Sequence, residues 1–232
     1  MKLGIMQPYF FPYLGYFDLI HATDQWIVFD TVQYIRHGWM NRNRILHPVS
    51  GWQYIVVPLK KHPRHTPIKD VQIAGNTGWQ KRILGQLAHY KKQAPHYTET
   101  MELVEACLSV PETSLSRLNV AILEKVCARL EIDFRYRYFS EMGLELGPIE
   151  SPGDWALRIS AALGAEEYIN PPGGAPLFDA AAFARHGIRL TIRTFPPFEY
   201  SCGRYAFIPN LSVIDALMWN PPEAIKAYLD TL

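Results

Sequence analysis

A three-layer α/β fold around a mostly parallel sheet is the architecture this sequence predicts. Short apolar runs alternate with amphipathic segments along the chain, the pattern of a parallel sheet with helices on both faces. The runs KLGIM (2–6) and WIVF (26–29) are nearly continuous in apolar residues, as strands covered on both sides are. With 232 residues, 48% of them apolar and 19% charged, the chain can bury a core without covalent staples.

The elements follow in order. Lys2 to Met6 reads as a buried strand, and the aromatic, proline-rich run Gln7 to Tyr13 as a loop. Leu14 to Ala22 forms a helix, its apolar face at Leu14, Phe17, Leu19 and Ile20. Trp26 to Phe29 is a second strand ending at Asp30, and Gln53 to Leu59 a third, with Pro58 marking an edge or an end. Gly78–Tyr90, Tyr97–Cys107 and Leu115–Leu130 carry helical spacing, so residues 78–130 read as a helical insert. Phe134–Tyr138, Glu167–Ile169 and Arg189–Arg193 are further strands, with helices at Asp154–Leu163 and Asp179–His186 between them. Leu211–Trp219 and Pro222–Leu229 close the chain as helices, the first capped by Asn210 or Ser212. Residues 1–232 are expected to form one α/β domain.

Composition excludes several classes. Three cysteines with no C-x-x-C spacing indicate neither a disulfide framework nor a structural zinc site. His62 and His65 have a permissible ligand spacing, but no Cys or carboxylate accompanies them, so no structural metal is expected. No apolar stretch approaches a membrane span and no cleavage signal follows the apolar N-terminus, which makes the cytoplasm the default location. A formal net charge of +1 argues against a high-affinity nucleic-acid binder. A homodimer is the default assembly only because two-fold dimers are the commonest.

Charge is nevertheless segregated. The first 93 residues carry a balance of +8 and the remainder −7. Between Thr31 and Lys69 there is no acidic residue, while Arg36, Arg42, Arg44, Lys60, Lys61, Arg64 and Lys69 all fall there. Such a window attracts an anionic ligand, or is a solvated basic surface facing the acidic half.

In open α/β sheets ligands bind beyond the carboxyl ends of strands, and a helix N-terminus there favours phosphate. Gln7, Tyr9, Tyr13, Gly15 and Tyr16 occupy that position after the first strand. Asp30, Gln33 and Tyr34 follow the second, where Asp30 can act as a general base or simply close a turn. Arg42 and Arg44, on one face if their segment is a strand, make a candidate anion clamp, with Lys60 a weaker addition. Asn170, Gly173 and Gly174 lie in a turn after a strand and can offer backbone N–H groups, and Asn210 stands before a C-terminal helix. The expectation is one cleft bordered by Tyr13, Asp30 and Arg42. The competing reading makes the Tyr/Phe/Pro run plain core packing.

The strand–loop–helix opening is similar to that of HUP-like nucleotidyltransferases and pantothenate synthetases, but Tyr13 and Tyr16 stand where those proteins carry the two histidines of H-x-G-H. More specifically, the chain resembles the WbqC-like family. The blocks that carry the resemblance are MQPYFFPYLGYFDLIHATDQWIVFDTVQY, WMNRNRI, VPLKK with PIKDVQI and WQKR, YINPPGG with LFDAAAFARHGI, and FIPNLSVIDALMWN. The block Tyr168–Gly174 departs from the family pattern, which usually shows Ser-Gly there. The resemblance implies a transferase or ligase that adds an amino acid, such as glycine, or an acyl group to an amino sugar in surface-polysaccharide synthesis. ATP with Mg²⁺ is the implied means of activating the carboxylate, and the substrate a small molecule or nucleotide-sugar. Tyr13 would then contact phosphate, and Asp30 or His21 would take the amine proton. The alternative is a non-catalytic nucleotide-sugar or nucleic-acid binding module.

Overall fold

A computed structural model describes residues 1–75 and 77–232. Its centre is a five-stranded sheet of β1 (Lys2–Met6), β2 (Gln25–Val28), β5 (Tyr136–Tyr138), β6 (Glu167–Asn170) and β7 (Arg189–Ile192). The spatial order is β5-β2-β1-β6-β7, and every pair is parallel. The chain runs outward from β1 through β2 to β5, then returns to the opposite side of β1 with β6. Strand order therefore reverses between β1 and β6.

Side-chain alternation makes the three layers. Leu3, Ile5, Ile27 and Tyr168 face one core with Ile159 of α5 (Asp154–Ala162) and Phe183 of α6 (Ala180–Arg185). Trp26, Val28 and Ile169 face the larger core, with Phe17 and Ile20 of α1 (Leu14–His21). Gly4 permits this packing: a Cβ there would lie 2.5 Å from Trp26 Cε3 on the paired strand.

Between β2 and β5 lie a two-stranded antiparallel ribbon, β3 (Arg42–Leu46) and β4 (Trp52–Val56), and the helices α2 (Trp79–Leu87), α3 (Tyr97–Leu108) and α4 (Leu115–Arg129). The expected third strand thus exists but does not join the main sheet. Its five-residue link to β3 closes through His47 N–H to the Gly51 carbonyl at 2.9 Å, with Gly51 at φ 70°. So short a link makes an antiparallel hairpin, whereas a parallel neighbour needs a crossover of a dozen residues or more. The helices α2, α3 and α4 make up a mainly helical segment of the chain. Cys107 and Cys127 are buried in it, and burial pushes the Cys107 thiol up to about 12. The C-terminal helices are α7 (Val213–Trp219) and α8 (Pro222–Leu229). Ser212, not Asn210, caps α7, its Oγ accepting from Ile214 N–H at 3.3 Å. Among the described residues no helix is long and apolar enough to cross a membrane.

Candidate functional site

The loop from Gln7 to Tyr13 leaves the sheet where strand order reverses, and the rest of the chain fixes its path. Asn43 Nδ2 donates to the carbonyls of Phe10 (3.1 Å) and Phe11 (2.9 Å). Asn119 Nδ2 reaches Pro8 O at 2.9 Å, Ser212 Oγ reaches Phe11 O at 2.8 Å, and Tyr16 Oη reaches Gln7 O at 2.8 Å. Val213 N–H donates to Pro12 O. These anchors hold Phe11 at φ 40°, a conformation a bulky residue does not adopt unsupported. Asn210, two residues before Ser212, sits at φ 58°. The aromatic run is therefore both core and cleft wall: Phe10 and Phe11 are fully buried, while Tyr9 and Tyr13 are partly exposed.

A cleft opens at this point in two lobes that share Met6, Tyr9, Pro171 and Gly173. The lobe on the α1 side encloses about 390 Å³. Tyr13, Gly15 and Tyr16 at the start of α1 line it, with Trp39, Asn43 and Arg44 from the ribbon side and Asn210 before α7. The lobe on the α5 side encloses about 800 Å³, bordered by Gln7, Asn170, Gly174, Trp155 and Glu150 among others. Tyr13 folds back over Gly15, where an added Cβ would lie 2.4 Å from its ring. Gly174 likewise makes room for Asn170, whose Nδ2 would be 2.2 Å from a Cβ at that position. Asn170 is buried, accepting from Tyr168 Oη at 2.9 Å and donating to Pro171 O at 2.7 Å.

Arg44 is the cation of the α1-side lobe. Its guanidinium lies between the rings of Trp39 (5.4 Å) and Trp52 (5.3 Å) and donates to Asn210 O at 3.1 Å. Stacking of this kind holds a guanidinium in place and leaves donors free at its edge. Burial raises the Tyr9, Tyr13 and Tyr16 phenols above their ordinary value, helped by neighbouring Tyr13, Asp18 and Tyr9 respectively. They are neutral hydroxyls at physiological pH and unsuited to act as bases; Tyr9 and Tyr13 can donate to an anion, whereas the Tyr16 proton is already given to Gln7 O.

The structure brings ten of the sequence-predicted residues to this cleft: Gln7, Tyr9, Tyr13, Gly15, Tyr16, Arg44, Asn170, Gly173, Gly174 and Asn210. It does not bring Asp30 and Arg42 to join Tyr13, so the expected common border is not formed. β2 lies on the far side of β1 from β6, and the reversal opens the cleft between β1 and β6. Asp30 is buried and accepts from Ser140 N–H (3.0 Å) and Ser140 Oγ (2.7 Å), closing the turn after β5. Gln33 bridges to Pro67 and contacts His65. His21 ends α1 at the opposite edge of the sheet and pairs with Asp230 at 2.9 Å. Tyr34, Arg42 and Lys60 line a separate groove. Sequence reading missed Trp39, Asn43, Asn119 and Trp155. Asn43 sits between the two arginines that drew notice, and its burial was the signal that strand alternation offered.

Fold and cleft define a doubly wound α/β protein with a formed cavity at its switch point. The chain belongs to the WbqC-like protein family, whose model matches residues 7–227. It is 31% identical over 231 residues to the uncharacterized protein Rv1507c of Mycobacterium tuberculosis (strain ATCC 25618 / H37Rv), an alignment covering 98% of this chain and 97% of that one. No solved structure matches the chain.

Proposed function

We propose that the switch-point cleft binds a nucleotide or nucleotide-linked amino sugar, and that the protein is a transferase or ligase forming an amide on the sugar amine. The observation that carries this reading is the α1-side lobe: aromatic walls, the start of α1 and a stacked Arg44 converge at the carboxyl edge of a parallel sheet. Aromatic faces suit a base, and a guanidinium with free helix N–H groups suits phosphate. The family resemblance supports the amino-sugar acceptor and its place in surface-polysaccharide synthesis.

Activation by ATP gives a balanced sequence. The donor carboxylate oxygen attacks the α-phosphorus and pyrophosphate leaves. The sugar amine then attacks the acyl carbon, AMP leaves with the C–O electron pair, and the amine proton passes to water. Arg44 and the Tyr13 phenol would hold phosphate charge. Mg²⁺ bound to a nucleotide needs only one or two protein carboxylates. Among the described residues Glu150 is the carboxylate on the cleft wall, and it borders the α5-side lobe, so Mg²⁺ would be carried mainly by the nucleotide's own phosphates and would supply charge neutralisation.

The test is incubation of pure protein with ATP, Mg²⁺, glycine and a nucleotide-linked 4-amino sugar, followed by mass spectrometry. The expected result is AMP together with an acceptor heavier by one glycyl residue, and at least tenfold weaker nucleotide binding in Arg44→Ala. Thermal stabilisation by nucleotides without turnover, for glycine and for other small acids, would make the protein a binding module instead.

A further inference from the structure

The basic window does not feed the switch-point cleft alone. Arg36, His37, Arg42, Lys60, Lys61 and His62 line a second groove of about 420 Å³ below the Arg42 end of the ribbon. Among the described residues no acidic one borders it. Among the described residues none of Arg36, Arg42, Lys60 and Lys61 takes part in an ion pair. In the second half of the chain, by comparison, six of the eleven Lys and Arg residues, Arg117, Arg135, Arg185, Arg189, Arg193 and Lys226, are paired with a carboxylate. Like charges gathered in one concavity repel, and an anion relieves that repulsion.

The groove is also built. The Arg42 guanidinium lies 4.1 Å from the centre of the Tyr54 ring and donates to His37 O, which fixes its plane while leaving other N–H donors unused. Tyr34 Oη donates to Asn41 Oδ1 at 2.8 Å, and Asn41 Nδ2 to Val57 O at 3.0 Å, so the groove's inner wall is hydrogen-bonded. Tyr34 also packs edge-on against His62 at 5.2 Å. Arg42 and Arg44 share a ribbon face but stand about 7 Å apart along it, and each serves a different cavity.

We infer that this groove is a second anion site, distinct from the switch-point cleft, that takes the phosphate or diphosphate group of a ligand, with Arg42, Lys60 and Lys61 as its contacts. It stands whether or not the amide-forming reading of the cleft does.

The test titrates inorganic pyrophosphate into the full chain by calorimetry at low ionic strength. Saturable binding is expected, at least fivefold weaker in Arg42→Ala and in the double variant Lys60→Ala/Lys61→Ala, and largely kept in Arg64→Ala, an exposed basic-window variant outside the groove. The lysine pair is exposed, so the double variant reads the site even if Arg42→Ala disturbs the ribbon. Absence of saturable binding would overturn the proposal. So would a loss confined to Arg44→Ala, which would place the anion in the cleft. Co-sedimentation with phosphatidylglycerol vesicles, compared with neutral vesicles, separates the sources of phosphate. Vesicle binding without pyrophosphate binding would replace the site with a surface attraction and overturn it.

Discussion

Asn119 holds Pro8 across 111 residues of sequence, its Nδ2 donating to the Pro8 carbonyl at 2.9 Å. The same amide donates to Met40 O at 2.7 Å. One side chain of the helical insert thus joins the loop after β1 to the segment entering the ribbon, the two walls of the α1-side lobe. The insert is part of the cleft's frame and not an appendage beside it.

Asn119→Ala should therefore cost stability and cleft order together. It strands two carbonyls inside the protein, a loss of about 2–4 kcal/mol if each unmet acceptor costs its usual amount. Urea unfolding should show the loss, and hydrogen exchange at Tyr9 to Phe11 should accelerate. Unchanged exchange would mean that Asn43 and Ser212 suffice to hold the loop.

Gly15→Ala tests the loop from the other side. The added methyl would meet the Tyr13 ring at 2.4 Å, and the far end of that side chain can swing away. Alanine favours the helix by up to about 1 kcal/mol, so the melting temperature should move by only a few degrees. Nucleotide binding should weaken tenfold or more, because Tyr13 is driven into the cleft. The double variant Tyr13→Ala/Gly15→Ala should recover part of that loss; no recovery would show that the displaced ring is not the cause.

The sheet was readable because buried parallel strands are short apolar runs, and KLGIM and WIVF stand out as such, with the shorter Glu167–Ile169 beside them. The loop Gln7–Tyr13 was readable as a cleft wall because α/β geometry fixes where strand ends lie. Which neighbour of β1 shares the cleft was not. Adjacent apolar strands look alike in sequence, and only the return of β6 to the opposite edge of β1 decides it. Asp30 looked like chemistry because it follows a strand, yet its carboxylate satisfies the Ser140 turn, a partner 110 residues away. Arg42 and Arg44 were rightly placed on one face, but alternation says nothing of which cavity each end of a ribbon meets. The anchors Asn43 and Asn119 escaped notice because a buried amide carries no local pattern; its partners are backbone carbonyls distant in sequence.

A buried ion pair ties α1 to the end of β7. Asp18 is 1% exposed and accepts from Arg193 Nε at 2.7 Å and a terminal nitrogen at 2.8 Å. Arg193→Ala should destabilise by about 3–5 kcal/mol, since it leaves a carboxylate buried without a partner. Arg193→Met with Asp18→Leu should recover most of that loss, because an apolar pair of similar volume carries no desolvation cost. Denaturant midpoints of the two variants check this. A double variant no better than Arg193→Ala would show that the pair's geometry, and not its charge, holds the helix.

Asp215 gives the protein a pH dependence opposite in sign to that of an ordinary paired carboxylate. It is 1% exposed and accepts from Tyr90 Oη at 2.6 Å and Tyr200 Oη at 2.7 Å. Those bonds lower its pKa, but burial outweighs them and raises it from 3.8 to about 6. Between the unfolded value near 4 and the folded value, the native state holds the proton that the unfolded chain has released, so unfolding free energy falls as pH rises. This contribution is complete below about pH 4 and is lost as pH climbs through 6, a span of roughly 3 kcal/mol for a two-unit shift. Asp215→Asn keeps the shape without the titration. The stability of wild type minus that of Asp215→Asn should then fall between pH 4 and 7 and stay level above. A level difference across the whole range would mean that the folded carboxyl ionises as the unfolded one does. Tyr90 also accepts from Leu46 N–H at 2.9 Å, so ionisation of Asp215 acts on a hydrogen-bonded chain that ends in the ribbon carrying Arg44.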